Sequence, residues 1–240
     1  MRKILQIISI MLIAFIVLSG CMYPQSKRTE NKIPYEDQVQ LVQQAVDQYR
    51  KDQNGLLPIK TNEATVPIYQ KYPIDFTKLV GKYMSDPPGN AYESGGVFQY
   101  VLIDVETNPT VKIFDLRMVD SIQEYGLRLQ MFKDKNKYPP YKDQLDTYVF
   151  TLDYKKLGFN QLPVVNSPYS QAELGIIMNS KSELYIDYTP DLMNALKESD
   201  RKFKPGDDIR VLLTENSIFA PAFSLPYTVN ENDEPVFMTK

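Results

Sequence analysis

The sequence predicts an α+β fold: two tandem units, each a helix laid on a small antiparallel sheet, following a signal peptide. Three observations carry this expectation. Two stretches hold apolar residues at helical spacing, Tyr35/Val39/Val42/Val46/Tyr49 and Met118/Ile122/Tyr125/Leu129/Phe132, each stepping by +4, +3, +4, +3. Each stretch ends in nearly the same words, KDQNGLLP from Lys51 to Pro58 and KDKNKYPP from Lys133 to Pro140. Each is then followed by short apolar runs separated by turn residues, the pattern of antiparallel hairpins.

The chain opens MRKILQIISIMLIAFIVLSGC. Arg2 and Lys3 form a basic leader, and Ile4 to Leu18 form an apolar run broken only by Gln6 and Ser9. This is the pattern of a secretory signal. It is short for a retained span, which needs roughly 20 apolar residues. Met22 to Lys32 is polar and reads as a flexible tether. The expected divisions are therefore a signal over 1–20, a tether over 21–33, a first unit over 34–116 and a second over 117–240.

Within the first unit a helix should begin near Pro34, with Glu36 and Asp37 favouring its positive end. Asn54-Gly55 tolerates the left-handed backbone of a helix stop, and Pro58 prevents a restart. Val97 to Val105 and Thr110 to Leu116 read as a hairpin turning at Glu106-Thr107-Asn108-Pro109. In the second unit Asn136 is the expected stop, and Leu174 to Met178 with Leu184 to Tyr188 is the counterpart hairpin around Ser180-Lys181-Ser182. Ile74 to Leu79 is echoed by Leu152 to Leu157, and Asn90-Ala91-Tyr92 by Asn166 to Tyr169. The stripes align at an offset of 83 and the stop words at 82, so one residue must be gained or lost between them. Signals in the same order twice predict an internal duplication. The tail is expected to close the second sheet: a helix over Asp191 to Ser199, a turn at Lys204 to Asp207, and strands over Ile209 to Thr214, Ser217 to Ala220 and Phe223 to Val229, the last with Pro226 at an edge or bulge.

Leu18-Ser19-Gly20-Cys21 resembles the lipobox of bacterial lipoproteins. That resemblance implies cleavage between Gly20 and Cys21, with the Cys21 thiol carrying a diacylglycerol and its new amino group an acyl chain. Two chains anchor firmly where one binds only marginally. The sequence is also similar to uncharacterised surface lipoproteins of Firmicutes type. Asn54-Gly55-Leu56-Leu57-Pro58 and the loop Asp86-Pro87-Pro88-Gly89-Asn90-Ala91-Tyr92 resemble the globular part of type IV pilin-like proteins, the pseudopilins of type II secretion above all. Pro88 stands where that family has Trp, and a lipobox replaces the prepilin assembly helix, so the resemblance implies a shape and no fibre.

Composition limits the chemistry. There is no His, no Trp and one Cys, so no Ser-His-Asp triad, Cys-His pair or imidazole metal ligand can be built, and Cys21 is expected to be spent on lipid. Net charge is −3, or −5 without Arg2 and Lys3, with no basic patch, so nucleic acid is not an expected partner. No cofactor and no metal is expected. Asp207-Asp208 and Glu231-Asn232-Asp233-Glu234 lack calcium-loop spacing and read as solvated turns. Asp104, Asp153 and Asp187, beside predicted strands, are the candidates for paired-carboxylate hydrolysis. Ser180-Lys181-Ser182 reads as a turn, Ser19 leaves with the signal, and Gly95-Gly96 has no phosphate-loop partner. Tyr69, Tyr72, Tyr83, Tyr92 and Tyr100 read as packing against the sheet in preference to a ligand platform. The expected function is a membrane-anchored extracytoplasmic binding or scaffold module without enzymatic activity, held to the bilayer by Cys21 and contacting another envelope protein. The alternative is an envelope hydrolase using those carboxylates.

Overall fold

The first apolar stripe becomes α1 (Tyr35–Asp52) in a computed structural model that describes residues 35–60, 62–63, 66–170 and 172–238. Gly20, Cys21, the signal and the tether lie outside those residues. Val39, Val42, Ala45 and Val46 are buried. The stripe frays at its ends: Tyr35 stays 41% exposed with its ring edge-on to Phe98, and half-buried Tyr49 meets Tyr83 the same way. Asn54 and Gly55 take positive φ and stop the helix, with the Gly55 N–H donating to the Arg50 carbonyl at 2.8 Å.

That helix lies on a hairpin of β1 (Phe98–Ile103) and β2 (Thr110–Asp115), paired from Phe98↔Asp115 to Ile103↔Thr110. Single bridges widen it. Pro73 pairs with Val101, and Ile59 with Ile74. On the outer side of β2, Ile113 bridges Phe219 in parallel, and its N–H donates to the Ile218 carbonyl.

The second stripe becomes α2 (Arg117–Asn136), burying Met118, Tyr125 and Leu129. Its stop falls one residue later than expected. Asn136 remains helical and spends its side chain on the Phe132 carbonyl, while Lys137 takes the left-handed turn at φ 71°. Asn54 and Lys137 are 83 residues apart, the offset of the stripes, so the residue that shifts the stop words to 82 is lost after the cap.

The second sheet comprises β3 (Tyr141–Asp146), β4 (Val149–Leu152), β5 (Val164–Asn166), β6 (Glu173–Asn179) and β7 (Leu184–Ile186). Its order is β3-β4-β6-β5, with β7 also paired to β6. Local geometry repeats the first half. The Asp75 N–H donates to the Pro58 carbonyl at 2.8 Å, and the Asp153 N–H to Pro140 at 2.7 Å. Each aspartate then caps the following turn, Asp75 through the Thr77 N–H and Asp153 through the Lys155 N–H. Leu79 and Leu157 are both buried just beyond. On the outer side of β7, Ile186 bridges Ser224 in parallel and donates to the Phe223 carbonyl, as Ile113 does with Phe219 and Ile218. The halves also differ: β5 pairs antiparallel with β6, whereas Ala91 meets Phe98 in parallel. Mixed helices and small antiparallel sheets make the fold α+β.

The tail corrects three expectations. Residues 209–214 are not a strand. Ile209, Leu212 and Leu213 are buried at i, i+3, i+4, and the segment forms the short helix α4 (Val211–Glu215). Residues 217–220 make only the bridge at Phe219, so the tail runs along both sheets and does not simply close the second. The last expected strand shrinks to β8 (Tyr227–Val229), which pairs with an unexpected β9 (Pro235–Phe237). Pro226 lies just before β8, where its carbonyl accepts the Met238 N–H. The remaining helix, α3 (Thr189–Glu198), starts two residues ahead of expectation, with Pro190 in its first turn. Both halves belong to one compact unit, Tyr35–Lys240.

Candidate functional site

A cleft of about 740 Å³ opens where the first turn of α1, β2, the 168–170 loop, α3 and the α4-to-220 segment meet. The tail's path along β2 creates it. Holding Ile218 and Phe219 against Ile113 brings α4 over the end of the first sheet, and Leu212, Leu213, Ile218 and Phe219 supply apolar walls.

Lys112 forms part of the lining. β2 reads Thr-Val-Lys-Ile-Phe, and this lysine is buried among apolar neighbours. Its Nζ donates to the Thr214 carbonyl at 2.7 Å and to the Ser217 carbonyl. Burial pushes its pKa down, against the pull of the Asp104 charge. The ammonium thus ties β2 to the C-terminal end of α4.

Asp191, in the first turn of α3, is 3% exposed. Its carboxylate accepts the Ser167 hydroxyl at 2.8 Å and the Ser170 hydroxyl at 2.7 Å. Burial raises its pKa, and the two serine hydrogen bonds oppose that shift. Ser167 Oγ in turn accepts the N–H groups of Tyr169 and Ser170, fixing the loop. The Tyr169 ring stands edge-on to Tyr188 and Phe219. Its hydroxyl is sealed without a hydrogen-bond partner among the described residues, and burial pushes its pKa well above the usual phenol range.

The opening is acidic. Glu36 from α1 and Glu198 from α3 are exposed and have no ion-pair partner among the described residues. Glu215 is paired with Arg201 at 2.6 Å.

The carboxylates singled out in the sequence lie elsewhere and on separate elements. Asp104 begins the β1–β2 turn at φ 51°, its carbonyl accepting the Thr107 and Asn108 N–H groups. Asp153 caps the turn after β4. Asp187 accepts the Tyr227 hydroxyl at 2.9 Å and the Thr189 N–H at 3.0 Å. Asp207 accepts the Lys204 N–H, and Asp208 pairs with Arg210, whose guanidinium lies over the Tyr69 ring. The Glu231-to-Glu234 run turns between β8 and β9, organised by the Asn230 side chain. Ser180 to Ser182 turn between β6 and β7 under the Asn179 side chain. Of the five tyrosines, Tyr100 is buried with its hydroxyl on Asn90, Tyr92 is exposed, and burial lifts the Tyr69 pKa to about 12. They form no common surface. Among the described residues no group of three or more metal-ligating side chains comes together, and no helix is long and apolar enough to cross a membrane.

Sequence reasoning missed Lys112, Asp191, Ser167 and Ser170. One signal was present: a lone lysine at a position where β2 otherwise turns apolar residues inward.

No curated protein and no solved structure matches the chain. Residues 35–115, which run from the first residue of α1 to the last of β2, match the model described as the YphF family N-terminal domain, and over that span the chain is similar to this family.

Proposed function

We infer that the protein is an extracytoplasmic lipoprotein, anchored through Cys21, whose folded part acts by binding a partner in the cell envelope. The carrying observation is the cleft. It has the volume and the apolar walls of a ligand site, typically about 300–1,000 Å³. Its two inner charged groups are already committed to the fold, Lys112 to two carbonyls and Asp191 to two serines. Such walls orient a guest more readily than they turn it over. Asp104, Asp153 and Asp187, the basis of the hydrolase alternative, each serve a local turn or hydrogen bond on a different element. The anchor rests on the Leu18-Ser19-Gly20-Cys21 motif and its leader. The pseudopilin likeness is a matter of shape: a helix on a small sheet, with the Asn90 N–H accepted by Gln38 of that helix.

Expression of Cys21→Ala in the native host, followed by fractionation, tests the anchor. The variant is expected to incorporate no diacylglycerol and to keep its leader uncleaved at this site. A variant that stays bound and is processed like the wild type would overturn it. Crosslinking in intact cells tests the binding activity, and a reproducible envelope partner should be recovered.

A further inference from the structure

Resting on that binding reading, we propose that the cleft takes a cation carried on an apolar body, the chemistry of a Lys or Arg side chain flanked by apolar residues in a peptide. Charge at the opening comes first. Glu36 and Glu198 stand on separate helices, both exposed, both lining the cleft and both without an ion-pair partner among the described residues. Glu198 is also the last residue of the ten-residue α3. A helix C-terminus carries partial negative charge, so a carboxylate there adds to a field that already favours cations.

The second observation is independent of those carboxylates. The protein seats one of its own ammonium groups in this wall: Lys112 Nζ rests on the carbonyls of Thr214 and Ser217, at the end of α4. Backbone carbonyls here already solvate a buried cation. The two carbonyls hold two of its three protons and leave its charge in place, so the preference for a guest cation rests on Glu36 and Glu198 at the opening. The third observation is the apolar wall of Leu212, Leu213, Ile218 and Phe219, which suits the flanking residues of a peptide and gives a small hydrophilic polyamine little to bury.

The test is calorimetric titration of the full-length chain in zwitterionic nanodiscs, with empty discs as the blank. The probes are N-acetyl-Leu-Lys-Leu-amide and its neutral twin N-acetyl-Leu-Gln-Leu-amide. The lysine peptide should bind saturably and about tenfold more tightly than the glutamine peptide, a difference of about 1.4 kcal/mol. The double variant Glu36→Gln/Glu198→Gln should erase that preference, whereas Glu231→Gln in the β8–β9 turn should keep it. Equal binding of the two peptides, no saturable binding, or a preference that survives the double variant overturns the proposal. In-cell crosslinking separates this failure from failure of the binding reading. If Asn194→Trp, which fills the cleft, abolishes partner recovery while the double variant does not, the cleft binds and the charge assignment falls. If neither variant alters recovery, the cleft itself is not the contact site.

Discussion

Lys112 gives its ammonium to two backbone carbonyls, and the consequence is measurable in both stability and pH dependence. Lys112→Met keeps the apolar stem but leaves the Thr214 and Ser217 carbonyls without their donor. The expected cost is about 1–3 kcal/mol, read by urea unfolding near neutral pH. Burial holds the Lys112 pKa below its ordinary 10.5. Between the lowered value and 10.5 the unfolded chain binds more protons than the folded one, so this residue makes stability rise with pH in that window. Lys112→Met should remove that rise. Asp191 works in the opposite sense. Its pKa is raised above 3.8, so just above 3.8 the folded state holds the extra proton and stability falls as pH rises through that window. Asp191→Asn should flatten that slope in acid unfolding curves, and an unchanged slope would contradict the assignment. Asp191 gave no signal in the sequence, and Lys112 only the break it makes in an apolar strand. Glu36, Lys112, Ser170 and the α3 pair Asp191 and Glu198 come from four separate segments of the chain, and only long-range packing assembles them.

The elements were far more legible, because helix and hairpin patterns are local. The stripes of α1 and α2 could be read from spacing since each buries one face. Val42→Asp or Leu129→Asp should each destabilise by several kcal/mol, an unpaired charge placed in a packed face, as judged by thermal unfolding. Helix α4 was misread because Ile209 to Thr214 is a short apolar run, and such runs fit a buried strand or a helix equally well until burial reveals the i, i+3, i+4 set. The cap of α2 was misplaced because Asn136 is the residue type expected at a stop. Lys137 instead takes the left-handed turn, with its N–H on the Lys133 carbonyl. Lys137→Gly should therefore stabilise by roughly 1 kcal/mol, since glycine adopts positive φ without the Cβ clash. A loss of stability on that change would contradict the cap assignment. Gly96 is the reverse case. A Cβ there would meet the Asn90 carbonyl oxygen at 2.1 Å, so Gly96→Ala should distort the loop that Asn90 ties to α1 through Gln38.

At the scale of the whole molecule, the two halves are joined by the tail. Residues 218–220 run along β2 and residues 223–224 along β7, each accepting the N–H of the corresponding isoleucine. This stitching was not predictable from repeat words, because the tail has no counterpart in either unit. It also builds the cleft, with α4 packed against α3 and tied to β2 by Lys112. Ala220→Pro removes the N–H that Ala220 donates to the Ile113 carbonyl, and should loosen both halves together in hydrogen exchange. Protection lost in only one half would show that the halves are independent.

On the proposed reading, a lipid anchor confines this cleft to a thin layer above the membrane, where tethering raises the effective concentration of neighbouring partners. The most direct measurement is therefore crosslinking in intact cells, comparing the wild type with a form of residues 22–240 secreted from a cleavable leader without lipid and with Asn194→Trp. The account predicts one reproducible envelope partner for the wild type, lower recovery when the anchor is lost, and none when the cleft is filled. A purified chain that turned over an envelope substrate, and lost that turnover when Asp104, Asp153 or Asp187 became Asn, would contradict it.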